Sequence, residues 1–153
     1  TRAEAGEYLE NHARAEFNIP GITFGGRYDG SPAVIGDGTN PPPDSANLYV
    51  QSACPGGRAP HAWIDENVSL FDKFGPEFTL LRLAKGVSVE DLNQAAIGLE
   101  VPLITVDVFD EDLRNVYEAN LVLIRPDQTV VWRGDGSPRD PKSILNAVAI
   151  GKY

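Results

Sequence analysis

From residue 78 onward, apolar runs of strand length alternate with segments of helical period, and that order leaves few possible topologies. "FTLLRL" (78–83) reads as a strong strand. Ser88 then opens a helix with a Ser-x-x-Asp pattern that is capping-box-like, with Glu90 and Asp91 in its first turn. Val89, Leu92, Ala96 and Leu99 keep one face of that helix. "VPLITVDV" (101–108) is almost continuously apolar, the pattern of a strand buried on both faces. "EDLRNVYE" (111–118) is a short helix. "ANLVLIRP" and "QTVVWRG" form a hairpin with Pro126 and Asp127 in the turn. Asp140 caps a last helix, Pro141 takes its first position, Ile144, Leu145 and Val148 face inward, and Gly151 ends it.

The sequence of elements is therefore strand, helix, strand, helix, hairpin, helix. One right-handed crossover followed by an antiparallel hairpin and a covering helix gives an α/β fold, a mixed sheet between helices. The expected sheet uses 78–83, 101–108, 120–125 and 129–133 and is flanked by helices 88–99 and 140–150. This is the order of a thioredoxin-like core. In a thioredoxin-like chain the junction after the first core strand holds the redox cysteines; here it holds Ala84, Lys85, Gly86 and Val87. Active thioredoxins also set a proline in the loop before the third core strand, and here that loop reads Glu118-Ala119-Asn120.

Upstream, residues 3–16 show a helical face of Ala5, Tyr8, Leu9, His12 and Ala13, closed by Pro20 and Gly21. "ITFGGRY" (22–28) reads as a short strand broken by its glycines. "DGSPAVIGDGTNPPPDSAN" (29–47) has a triple proline and few large apolar residues, so it reads as an ordered loop or extended linker. The compact domain is expected to begin after it, which divides the chain into 1–46 and 47–153. "LYVQSA" (48–53) is a candidate strand, "APHAWI" (59–64) a short extended piece, and "VSLFDKFG" (68–75) a short helical turn ending at Gly75.

Charge and reactive residues exclude several function classes. Thirteen Lys and Arg against 22 Asp and Glu leave a formal charge of −9, which argues against nucleic acid and anionic membranes. No apolar run is long enough to span a bilayer, and a cytoplasmic setting is the default. Cys54 is the single cysteine, so no intrachain disulfide can form. It precedes Pro55-Gly56-Gly57 and reads as an inert loop thiol; a one-cysteine peroxidase would need its pKa lowered by a helix N-terminus or a base. His61 reads as a packing or hydrogen-bonding residue, and with His12 as its only fellow a multi-histidine site is excluded. The aspartates of "DVFDEDL" (107–113) lack the spacing of a calcium loop and read as a solvated helix start. Arg133-Gly134-Asp135 is a chance tripeptide in a turn. The glycines at 25–26 and 36–38 match no phosphate-binding pattern, so no dinucleotide site, and no cofactor or metal site, is expected in this chain. The chain starts at Thr1 and contains no methionine, which points to a piece of a longer polypeptide.

Several stretches together resemble one family: "GGRYDGSPAVIGDG" (25–38), "PGGRAPHAWI" (55–64), "SLFDKFGPEFTLLRL" (69–83) and "LVLIRPDQTVVWRGD" (121–135). In order and spacing they are similar to the C-terminal region of the FAD-dependent aromatic hydroxylases, the class A flavoprotein monooxygenases. The resemblance runs from about Phe17 to Trp132. It implies a redox-inactive thioredoxin-like domain appended to a catalytic body that holds FAD, uses NAD(P)H and hydroxylates a phenolic substrate. It implies structural, packing or oligomerisation work for this chain, with the FAD domain of the same polypeptide as partner and a homodimer as a further possibility. The helix at 3–16 resembles the end of the catalytic body, and "RYDGSP" (27–32) the passage out of it. Phe24, Arg27, Tyr28 and Pro32 are accordingly expected at the interdomain contact. The alternative is a free-standing redox-inactive interaction module.

Overall fold

A computed structural model describes residues 1–150. The core is a four-stranded mixed sheet of β3 (Phe78–Arg82), β4 (Leu103–Asp107), β5 (Leu121–Ile124) and β6 (Val130–Gly134), in the order β4-β3-β5-β6. β3 and β4 are parallel, joined by helix α3 (Glu90–Gly98); β3–β5 and β5–β6 are antiparallel. This is the thioredoxin-like arrangement that the order of apolar runs implies. The expected end of the last helix at Gly151 lies outside the described residues.

The two faces of the sheet are covered by different elements. On one, Leu81, Val122, Ile124 and Val130 meet Leu113 and Tyr117 of α4 (Glu111–Tyr117) and Leu70 of a short 3-10 turn (Leu70–Lys73). On the other, Leu80, Leu121, Leu123 and Val131 meet Leu92, Ala95 and Ala96 of α3 and Leu145 and Val148 of α5 (Pro141–Ile150). Every residue of β5 is buried, as a strand sandwiched between helices must be.

The expectation for 101–108 needs correction. β4 is an edge strand whose residues are half-buried or exposed, not a strand covered on both faces. Its alternate residues Thr105 and Asp107 face water, while Leu103 and Val106 lean onto the two helical layers. Ser88 also departs from the expected cap. Val89 is the N-cap, and the Ser88 hydroxyl accepts from the Glu90 amide at 3.2 Å in a tight local turn.

The opposite edge is closed by the segment before the sheet. Gly56 N–H donates to the Val130 carbonyl at 2.7 Å, Val130 N–H to Gly57 at 2.9 Å, and Ala59 N–H to Gln128 at 2.7 Å. A register shift in β6 frees the Val131 carbonyl, which accepts from the Ile35 amide at 2.8 Å. The strand edge therefore presents few unpaired groups to solvent. The small hairpin β1 (Trp63–Asp65) and β2 (Val68–Ser69) follows.

The N-terminal third is organised differently from the sequence reading. Helix α1 (Arg2–Phe17) matches, with a Thr1–Glu4 capping box. Pro20 does not merely stop it: Pro20 occupies the first turn of a second helix, α2 (Pro20–Phe24), where 22–28 was expected to be extended. Residues 48–53 carry no regular strand and pass as an irregular segment.

Candidate interdomain surface

The corner that holds reactive cysteines in active thioredoxins is filled here by an ion pair. At the end of β3, Arg82 grips Asp107 of β4 in two parallel hydrogen bonds, Nε to Oδ1 at 2.8 Å and Nη2 to Oδ2 at 2.6 Å. Its Nη1 donates to the Val87 carbonyl at 3.2 Å. Phe109 lies beneath both Arg82 and Lys85, at 5.7 and 5.6 Å from the ring centre. The hydrogen bond from Arg82 holds the Asp107 carboxyl below its ordinary range against a smaller opposing effect of burial. The pairing raises Arg82 in turn. These groups fasten two parallel strands together at a junction that carries no cysteine.

The other reactive residues are also engaged structurally. The Cys54 side chain is buried, and its sulfur lies 3.5 Å from the Thr39 hydroxyl and 3.8 Å from the Thr39 carbonyl. His61 Nε2 pairs with the Ser69 hydroxyl at 3.0 Å, and its ring meets Trp63 and Phe71 edge-on. His12 stacks on Tyr8 in α1. Asp110 is the N-cap of α4, accepting from the Leu113 amide at 2.7 Å. Among the described residues no three His, Cys, Asp or Glu side chains gather as a metal site. Gly25 and Gly26 follow a helix, and Gly36 and Gly38 lie in the docked linker; neither pair joins a strand to a helix N-terminus, as a flavin pyrophosphate would require. These residues do not fit a flavin.

Arg133, which the sequence reading set aside within its tripeptide, is the centre of the long-range polar structure. Its guanidinium is buried at the end of β6. Nε donates to Asp37 Oδ2 at 2.6 Å, Nη2 to the Thr39 hydroxyl at 3.2 Å, and Nη1 to the Tyr117 carbonyl at 2.9 Å and Glu118 Oε2 at 3.2 Å. Glu118 sits in the left-handed region at φ 52° as the C-cap of α4, which turns its carboxylate back to Arg133. Burial pushes the Asp37 carboxyl up, but hydrogen bonds from Thr39 and Arg133 outweigh it and hold the group below its ordinary value. The linker is thus latched onto the sheet at Ile35, Asp37 and Thr39. Tyr117 closes the far side of this network. Its hydroxyl donates to the Pro60 carbonyl at 2.7 Å, and burial pushes its pKa upward.

The four residues expected at an interdomain contact sit on the arm that leads into this latch. Arg27 is largely covered and bridges Asp29 and Asp44, the latter at 2.8 Å. Tyr28 is half exposed, its amide bonded to the Gly56 carbonyl at 2.9 Å and its ring under Arg125. Phe24 is exposed on α2 and tilts against Tyr49. Pro32 is exposed and borders a separate groove beside the start of α5. The structure gathers Phe24 and Arg27 along one cleft with Tyr49 and Arg58, while Pro32 lies elsewhere. Arg58 was missed by sequence reasoning. Its guanidinium lies between the rings of Phe24 and Phe71, at 5.6 and 5.3 Å from their centres.

Helix α1 leaves three large apolar side chains uncovered. None of its residues is buried; Phe17 is 80% exposed, Tyr8 68% and Leu9 64%. Asn47 ties its C-terminal end to the body by donating to the Ala15 and Asn18 carbonyls at 2.6 and 2.7 Å.

Fold and surface together define a thioredoxin-like domain without a dithiol, carrying an uncovered helical arm. The family described as aromatic-ring hydroxylase, C-terminal, matches residues 52–149, and the chain belongs to it. An FAD-dependent monooxygenase of Emericella nidulans, apdD, is 33% identical over 136 residues, covering 84% of this chain and 22% of that protein. A phenol 2-monooxygenase of a Pseudomonas species is 31% identical over 158 residues, covering 89% of this chain and 25% of that protein. The rebeccamycin biosynthetic enzyme RebC, solved with reduced flavin, superposes with a TM-score of 0.81 at 39% identity, over 96% of this chain and 27% of that one. The chain thus spans roughly a quarter of the length of these relatives and aligns to the C-terminal part of larger FAD-dependent monooxygenases.

Proposed function

We propose that this chain is the C-terminal domain of an FAD- and NAD(P)H-dependent monooxygenase that hydroxylates a phenolic ring, and that its own work is packing against the catalytic body. In this reading residues 1–46 are the tail of that body with its linker, and 47–153 the appended domain. Phe24, Arg27, Tyr28 and Pro32 lie along the passage between the two. The observation that carries the reading is α1, a sixteen-residue helix with no buried residue and three large apolar side chains in water. Isolated helices of that length are marginal, so packing of an apolar face has to supply the stability. The family relationship and the phenol-acting relative support the substrate class.

The flavin of the parent supplies the oxygen-transfer chemistry. The residues of this chain do the rest by geometry. Arg133 fixes the linker, Asn47 and Arg58 fix the arm, and the arm presents Tyr8, Leu9 and Phe17 to the catalytic body. Contact between subunits through the same domain, and a cytoplasmic setting, belong to the same proposal. The test is a titration of the isolated chain with FAD, followed by flavin fluorescence, alongside turnover of the whole enzyme with a phenol. The expected result is an unchanged flavin signal with the chain and NAD(P)H-dependent hydroxylation by the whole enzyme. Saturable binding of FAD at about micromolar concentration, an affinity that takes roughly 8 kcal/mol of real contacts, contradicts it.

A further inference from the structure

A groove of about 290 Å³ lies between the β1 hairpin and α4, with His61, Trp63, Ile64 and Val116 on its apolar side and Asp110 and Asp112 on its rim. Trp63 is 69% exposed, which is unusual for the largest apolar side chain in a domain with a full core. Its indole is held edge-on by His61, which is itself fixed by Ser69, so it stands preformed. Asp110 spends one carboxylate oxygen on the α4 cap, and the ion pairs among the described residues include neither Asp110 nor Asp112. The one cation of α4, Arg114, leans on Glu111 instead.

The groove is continuous with the arm. Phe24 of α2, Arg58, Phe71, His61 and Trp63 form one run of cation–ring and edge-on ring contacts, each step between 5.2 and 5.6 Å. We propose that this groove is a second anchor point for the catalytic body, and that it takes an arginine or lysine side chain from that body. The aliphatic stem lies along Trp63 and Val116, and the charged head reaches Asp110 and Asp112. An indole face beside two carboxylates is the chemistry that selects a long basic side chain over a purely apolar one. The net charge of −9 gives the same sign of complementarity over the whole chain. The inference rests on the reading of the chain as an appended domain.

The test is hydroxyl-radical footprinting, read by mass spectrometry at Tyr8 and Trp63, on the chain alone and on the whole enzyme. Both rings should be oxidised more slowly in the whole enzyme, by about fivefold or more, because an anchored contact excludes water. Asp112→Lys in the whole enzyme should restore Trp63 oxidation toward the rate of the chain alone and leave Tyr8 protected. Asp112→Asn, which keeps size and removes charge, should restore it in part, so a folding defect of the lysine variant cannot be mistaken for the effect. Protection of Tyr8 with equal oxidation of Trp63 in both samples overturns the groove and spares the appended-domain reading. Equal oxidation of both rings overturns that reading as well. Protection of Trp63 that neither variant changes shows a contact without a basic side chain and overturns the proposal.

Discussion

Arg133 joins three parts of the chain that have no sequence proximity: the linker at Asp37 and Thr39, the end of α4 at Tyr117 and Glu118, and β6 itself. Arg133→Met keeps the length and removes the donors. It should cost about 2 kcal/mol, less than for a fully buried pair because Asp37 keeps some contact with water. Thermal unfolding followed by calorimetry checks this. The same latch gives the fold an acid-sensitive element. Asp37 and Asp107 are held below the ordinary value of 3.8, so the folded state binds fewer protons there than the unfolded chain. Their contribution is complete above that value and is lost as pH falls through the folded-state values. Urea midpoints should therefore fall steeply below about pH 4, and Asp37→Asn should flatten that slope. A slope unchanged in Asp37→Asn would show that the latch does not titrate with folding. Little of this was legible in the sequence. Arg133 sat in a tripeptide with no local partner, and its linker acceptors Asp37 and Thr39 lie nearly a hundred positions upstream, where no spacing rule reaches. Cys54 and His61, by contrast, read as structural because the local chain offers neither a helix N-terminus nor a second ligand, and the structure buries the Cys54 side chain and pairs His61 with Ser69.

At the scale of elements, the order of strands and helices could be read from periodicity because each crossover must follow from the one before. The position of β4 at the sheet edge could not. A run such as "LITV" is equally apolar at the centre and at an edge that helices cover only in part, so composition alone does not separate the two. The N-terminal segment failed for another reason. "GITFGG" carries strand-like residues between glycines, yet Pro20 at the first turn and packing against residues 45–48 make it helical. Gly21 is the key to that packing, because a Cβ there would overlap the Ser45 carbonyl oxygen and crowd that of Leu48. Gly21→Ala should push α2 away from residues 45–48 and loosen the Asn47 tie to α1. The core sheet should be untouched. Backbone NMR shifts confined to residues about 15–50 are the expected outcome, since distant sites respond independently. Shifts spread through β3, β5 and β6 would mean that the arm is integral to the core.

The whole molecule is a sheet whose central strands are covered on both faces, with β4 at a partly covered edge, joined to an arm that is not covered. Its core is self-sufficient: the strands, both helical layers and the closed edge at Gly56–Ala59 satisfy one another. The arm is tied down by few groups, Asn47 at the end of α1 and Arg58 under Phe24, while its own apolar side chains stand in water. That contrast was partly legible, since a helical face without a following strand to receive it could be seen in residues 3–16. The latch that docks the linker could not be seen there, because "DGSPAVIGDGTNPPP" shows turn chemistry but not its distant partner. The central claim is that the arm belongs to a seam with a catalytic body. Amide hydrogen exchange of residues 3–16, measured in the isolated chain and in the whole enzyme under the same conditions, tests it most directly. The account predicts slower exchange in the whole enzyme, by about tenfold or more, because local opening is costly only where apolar area is covered. Equal protection in the two samples would place α1 in this domain's own structure and contradict the claim.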